Sequence, residues 1–231
     1  MTPPPEQLTA LLQLASPSLP IGGYSYSQGL ESAIELGLVH DETTTYHWIA
    51  DQLEHVLGYG EAPLWLSVYN AFQNEDEKTI CLLNDWFMAS RETQEMRQET
   101  QQMGWSLLQL AESLKWCEPP HIDLLKSLDP ASFPCVHAGL VSTKRINSQA
   151  GLTAYLFAWL ENQVMAALKS VPLGQMSGQR VTQQLRETLV DVCEQAHDRA
   201  AQMPLRLYNF APQFAIVAAR HETQYSRLFR S

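Results

Sequence analysis

Apolar residues recur along this chain at three- and four-residue intervals and almost nowhere in strict alternation, the spacing of helices rather than strands. Leu8, Leu11, Leu12 and Ala15 mark a first short helix that stops at Ser16-Pro17, behind a lead-in expected to fray over residues 1–5. Beyond Ser16 to Glu31, Leu30, Ile34 and Leu38 mark a helix able to wind from Tyr24 onward, with Gly37 as its stop. Asp41 and Thr43 to Thr45 offer N-cap side chains for a helix through Ile49, Leu53, Val56 and Leu57, which Gly58 and Gly60 are expected to end. Glu61-Ala62-Pro63 restarts it, because proline is tolerated in a first turn. After a polar turn at Asn74 to Glu77, Ile80, Leu83 and Phe87 give the next apolar face. From Ser90 a long polar helix shows only a narrow stripe of Met96, Met103, Leu107, Leu110 and Leu114. Its first half, RETQEMRQET, is charge and amide, which reads either as a solvated face or as a partner surface.

Glu118-Pro119-Pro120 interrupts the chain before a short helix at His121 to Leu128. Phe133 to Val141 has strand-like character, but no second strand is there to pair with it, so it reads as a helix start. Asn147 caps a strongly apolar helix through Tyr155, Leu156, Trp159, Val164 and Leu168. Val171-Pro172-Leu173-Gly174 turns the chain into a second long helix from Met176 to Ala201. These two predict an antiparallel hairpin, the seed of an all-α, single-domain bundle of about eight to ten helices with no β-sheet. Phe210 to Arg220 supplies a last helix, and the tail 221–231, HETQYSRLFRS, is expected to order on partner binding.

Composition narrows the function. At 45% hydrophobic and 17% charged residues the chain is a folded protein, not a disordered one. A net charge of −10 disfavours a nucleic-acid partner, although three arginines against one glutamate make the segment from Arg220 onward locally basic. The four cysteines have no paired spacing and read as free thiols in a reducing compartment. MTPPPEQ has neither a basic start nor an apolar run, and Gly151 to Leu160 is far short of the ~20 residues that span a bilayer. The expectation is a soluble cytoplasmic protein without membrane contact.

Two segments stand out chemically. In SPSLPIGGYSYSQGLE, prolines bar a helix, Gly22 and Gly23 permit unusual backbone angles, and Tyr24, Ser25, Tyr26 and Gln28 gather without a charge before Glu31. A loop packed for fold reasons accounts for the glycines; a recognition surface accounts for the tyrosines as well. The tail interleaves aromatics with arginines, at Arg220, His221, Glu222, Tyr225, Ser226, Arg227, Leu228, Phe229 and Arg230, the composition of an interface anchor. Enzyme signatures are weak by comparison. Gly174 and Gly178 lack the lysine and hydroxyl of a phosphate loop, and Ser27 lacks the first glycine and the sheet of a nucleophile elbow. His47, Asp51 and His55 share a helix face, but successive turns spread their donors along the axis, so a metal-dependent enzyme there is the lesser reading.

The loop Ser16 to Glu31 and the tail HETQYSRLFRS closely resemble the signatures of the UreF family of urease accessory proteins. VPLGQMSGQR at Val171 to Arg180 and RETQEMR at Arg91 to Arg97 resemble two further family segments, so the likeness runs through nearly the whole chain. The resemblance implies an all-α homodimer with no catalytic residue, no bound cofactor and no metal site of its own. It implies a chaperone that binds a UreD/UreH-like accessory protein and recruits a UreG-like GTPase. The complex would dock on apo-urease and deliver nickel, with this chain activating the GTPase or acting as a coupling and fidelity factor. By position, Arg220 to Arg230 would dock the UreD/UreH-like partner, while Tyr24, Ser25, Tyr26 and Gln28 would help form the surface near the dimer centre that meets the GTPase; Gly22 to Glu31 as a whole reads as a surface for proteins. A helical adaptor unrelated to urease is the alternative.

Overall fold

The computed structural model describes residues 3–230. Its α-helices run in the order α1 (Pro5–Leu14), α2 (Leu30–Glu35), α3 (Glu42–Asp51), α4 (Ala62–Gln73), α5 (Glu77–Ala89), α6 (Gln94–Ser113), α7 (Pro119–Ser127), α8 (Phe133–Thr143), α9 (Ser148–Ser170), α10 (Gln175–Ala200) and α11 (Pro212–His221). No strand occurs among the described residues, and no helix there is long and apolar enough to cross a membrane. Pro5 opens α1 instead of belonging to a frayed lead-in, because a proline at the first helical position gives up no bond the helix needs. Met1 and Thr2 lie outside the described residues.

Helix α4 is the axis of the bundle. Leu64, Trp65, Leu66 and Val68 on it are fully buried, and it packs between α8 and the α9–α10 hairpin. The strand-like stretch is α8: it is buried on every side from Pro134 to Ser142, so its apolar residues need no stripe. Asp41 caps α3 in a reciprocal box with Thr44, and Asn147 accepts the Ala150 N–H at 3.2 Å to start α9. A smaller apolar cluster under α2 holds Leu30, Ala33, Val39, Ala166, Ala167, Val171, Val217 and Phe229.

Gly58 and Gly60 do not end the third helix. Gln52–Glu61 continues it as a π-helix directly into α4. Pro63 explains both the widening and the helix's neighbours. It carries no N–H, so the carbonyls of Tyr59 (at α spacing) and Gly58 (at π spacing) lose their intrahelical donor. Arg199 Nη1 donates to the Gly58 carbonyl at 2.7 Å, and the Tyr208 N–H donates to the Tyr59 carbonyl at 3.1 Å. At Gly60 a Cβ would stand 2.7 Å from the Tyr208 carbonyl oxygen, so glycine there lets the segment after α10 cross the helix.

Candidate protein-interaction site

The loop does not wind from Tyr24 into α2. Gly22, at φ 83°, turns the chain into one 3-10 turn at Gly23–Ser25, and Gly29, at φ 80°, turns it again before Leu30. Between these turns the side chains part. Tyr24 is 66% exposed, whereas Tyr26 is 4% exposed. Burial raises the Tyr26 phenol, and a hydrogen bond to Arg230 offsets part of that. Gln28 points inward: its Nε2 donates to Glu99 Oε1 at 2.8 Å, and its Oε1 accepts from Trp159 Nε1 at 2.6 Å. Tyr26 and Gln28 thus hold the loop to the body, and Tyr24 is the tyrosine it presents.

The tail, expected from the sequence to order on partner binding, has a seat on its own chain. Glu31 at the start of α2 accepts the Leu228 and Phe229 N–H groups at 2.6 and 2.9 Å. Glu95 on α6 accepts from Arg227 Nη1 at 2.8 Å, and Glu222 accepts the Gln94 N–H at 2.7 Å, where the helix dipole favours a carboxylate. His221 is fully buried between the two acids, Nδ1 lying 2.8 Å from Glu95 and Nε2 3.1 Å from Glu31. Phe229 enters the small apolar cluster, and Lys169 Nζ sits 5.6 Å from its ring and 5.8 Å from that of Tyr24. The Arg230 N–H donates to the Ser25 carbonyl at 2.8 Å. Loop and tail, about 200 residues apart in sequence, therefore form one surface whose exposed members include Tyr24, Arg220, Glu222, Tyr225, Ser226, Arg227, Leu228 and Arg230.

Beneath the loop lies a cavity of about 480 Å³. Met96, Met103 and Met165 line it beside Gln28, Glu61, Arg91, Glu99, His137 and Tyr155. Burial pushes the Glu99 carboxyl up to about 8, chiefly against the hydrogen bond from Gln28, and drives His137 down to about 3. His137 is a neutral acceptor for Trp65 Nε1 at 3.2 Å. The Tyr155 hydroxyl donates to Glu61, whose other oxygen lies 3.6 Å from Arg91 Nη1, and the Arg91 guanidinium stacks 4.1 Å above Phe87. Through these groups the loop is tied to α6 and α9, α8 to α4, and α9 to the π-helix. Arg91, Glu95 and Glu99 are almost completely buried, so the polar first half of α6 is only partly a solvated face. The signal for this was present: residues 95 and 99 are one helical turn apart, on the same side as Met96.

A family model for UreF matches residues 39–186. The urease accessory protein UreF of Bordetella parapertussis is 54% identical over 95% of this chain and 100% of its own length. The corresponding protein of Cupriavidus taiwanensis is 49% identical over 97% of this chain and 98% of its own. The bifunctional urease accessory protein UreEF of Bordetella bronchiseptica is 55% identical over 97% of this chain, which spans 52% of that longer protein. The chain belongs to the UreF family of urease accessory proteins. Of the other family-like segments, RETQEMR supplies Arg91 and Glu95 to the buried network, and VPLGQMSGQR forms the α9–α10 turn. Just beyond that turn, on α10, Arg180 donates to both oxygens of Glu42 at 2.8 and 2.6 Å, closing α10 onto α3. His47, Asp51 and His55 are exposed, and among the described residues no three His, Cys, Asp or Glu side chains are grouped to hold a metal ion. The four cysteines are free, and burial raises Cys135 to about 12 and Cys193 to about 11, which makes both poor nucleophiles.

Proposed function

We propose that this UreF-family chain is a non-enzymatic scaffold of urease maturation, acting in the cytoplasm as a homodimer. In this reading its tail docks a UreD/UreH-like accessory protein, and the adjoining loop meets a UreG-like GTPase. The assembly then delivers nickel to apo-urease, this chain modulating GTP hydrolysis. The observation that carries the reading is the joining of loop and tail into one surface of exposed aromatic, arginine and leucine side chains: Tyr24, Tyr225, Leu228, Arg227 and Arg230. Family membership supplies the pathway, and an arginine brought to a partner's nucleotide is an established way to stabilise phosphoryl-transfer charge.

The test is co-purification of the full chain with a UreD/UreH-like and a UreG-like protein, with and without GTP. Removing the whole tail would also strip His221 and Phe229 from the body, so point changes at exposed positions are cleaner. Tyr225→Ala with Leu228→Ala abolishes capture of the UreD/UreH-like protein while helical circular dichroism stays unchanged. Tyr24→Ala leaves that capture intact and lowers recruitment of the GTPase. Full capture of both partners by both variants overturns the proposal.

A further inference from the structure

Apolar side chains, among them Leu19, Val56, Phe87, Met103, Met165 and Phe214, make up much of the wall of the cavity beneath the loop. At about 480 Å³ it falls within the roughly 300–1,000 Å³ of small-molecule sites. Three polar side chains on that wall hold donors that no acceptor meets. Arg91, 8% exposed, donates from Nη2 to Ser90 Oγ at 3.2 Å, but its Nη1 stands 3.6 Å from Glu61, beyond hydrogen-bond length, and its Nε is buried with no partner. Thr100 Oγ1 accepts the Phe133 N–H at 3.0 Å, and its own hydrogen finds no acceptor among the described residues. Glu99, pushed up to about 8, keeps a proton at neutral pH while Oε1 accepts from Gln28. The nearby acceptors are already engaged: Glu61 receives the Tyr155 hydroxyl and pairs with Arg91, and His137 receives Trp65 Nε1. Buried donors without acceptors are costly, so the wall favours an occupant that brings an oxygen and no donor of its own.

Charge decides which oxygen. The Arg91 guanidinium is balanced by Glu61, and the buried Glu99 and His137 are neutral at pH 7. Lys169 and Glu161, both less buried, add one charge of each sign. A carboxylate would therefore carry an unbalanced charge into the cavity, whereas a carbonyl brings lone pairs without one. We infer that the cavity is a binding site for a small uncharged carbonyl compound with an aliphatic chain, its oxygen meeting the free donors and its chain lying against the apolar wall.

Such an occupant would underlie the exposed part of the loop. The 3-10 turn rests on Met103, since a Cβ at Gly23 would stand 3.3 Å from Met103 Cε, and Tyr24 itself lines the cavity. The site belongs to the chain alone and holds or fails independently of the partner assignment.

Equilibrium dialysis of the full chain tests it with three probes of similar chain length: methyl octanoate, the octanoate anion and nonane. Methyl octanoate should bind saturably, one per chain, and the other two at least about tenfold more weakly, the worth of a hydrogen bond to a charged donor. Arg91→Met should weaken the ester by about the same factor. Ala158→Phe, which adds a ring on the cavity wall and removes no polar group, should abolish binding with helical circular dichroism unchanged, and it serves if Arg91→Met fails to fold. No saturable binding of the ester, equal or tighter binding of nonane or octanoate, or undiminished binding in either folded variant overturns the proposal.

Discussion

Glu99 makes the sharpest stability prediction, because it is a buried acid with an acceptor role that an amide can reproduce. Its Oε1 accepts from Gln28 Nε2 at 2.8 Å, and burial lifts the carboxyl from the ordinary 4.5 to about 8. The sign follows from linkage: the folded state holds the proton more tightly than the unfolded state, so stability is greatest below about 4.5 and declines until about 8. The decline is up to about 1.4 kcal/mol per pH unit, or about 3 kcal/mol between pH 5 and 7.5. Glu99→Gln keeps an oxygen for Gln28 and a donor in place of the acid hydrogen, but cannot ionise. Measured by urea unfolding at the two pH values, the variant should gain about 3 kcal/mol on the unaltered protein between pH 5 and 7.5. For a chain of this length that corresponds to roughly 6–12 °C in Tm. A variant whose stability relative to the unaltered protein is the same at both pH values would refute the assignment of a buried, protonated acid at the floor of the loop.

Substitutions at two further positions test what holds the helices around the site. At Gly104 a Cβ would stand 2.3 Å from the Ala131 carbonyl oxygen and 3.0 Å from the Phe133 nitrogen, both backbone, so Gly104→Ala must push α6 off the start of α8. The expected cost is about 3 kcal/mol in unfolding free energy. Arg199→Met strips the Gly58 carbonyl of its donor and the Tyr59 ring of a guanidinium stacked at 3.8 Å. Thermal unfolding should register a loss of about 2 kcal/mol, and Arg199→Lys should recover only part of it because an ammonium lacks the planar fork.

The helices were legible because their instructions are local. Asp41, Thr44 and Asn147 cap where short side chains can reach the first free N–H groups, and Gly37 at φ 72° stops α2 as a left-handed residue does. The errors fell where a distant segment overrides a local preference. Gly58 and Gly60 read as a helix end because nothing in their neighbourhood reveals Arg199 and Tyr208, which take the carbonyls that Pro63 leaves without donors. The polar start of α6 read as a surface because the residues that satisfy it, Gln28, His221 and Arg227, come from elsewhere in the chain.

The surface formed by loop and tail shows the same division at closer range. Composition marked both segments as unusual, but it could not separate side chains that face outward from those that fasten the segment down. That separation depends on which acids lie beneath. With Glu31 and Glu95 in place, His221 and Phe229 turn inward and the tail is held; without them, the same dozen residues would have nothing to close on. The anchors are carboxylates and a histidine rather than a large apolar area, and Tyr225 and Leu228 remain exposed beside them. A segment meant to be permanent would be better served by burying Tyr225 and Leu228 as well. Leaving them outside keeps two large apolar side chains at the surface of a segment that Glu31, Glu95 and His221 otherwise fasten to the body.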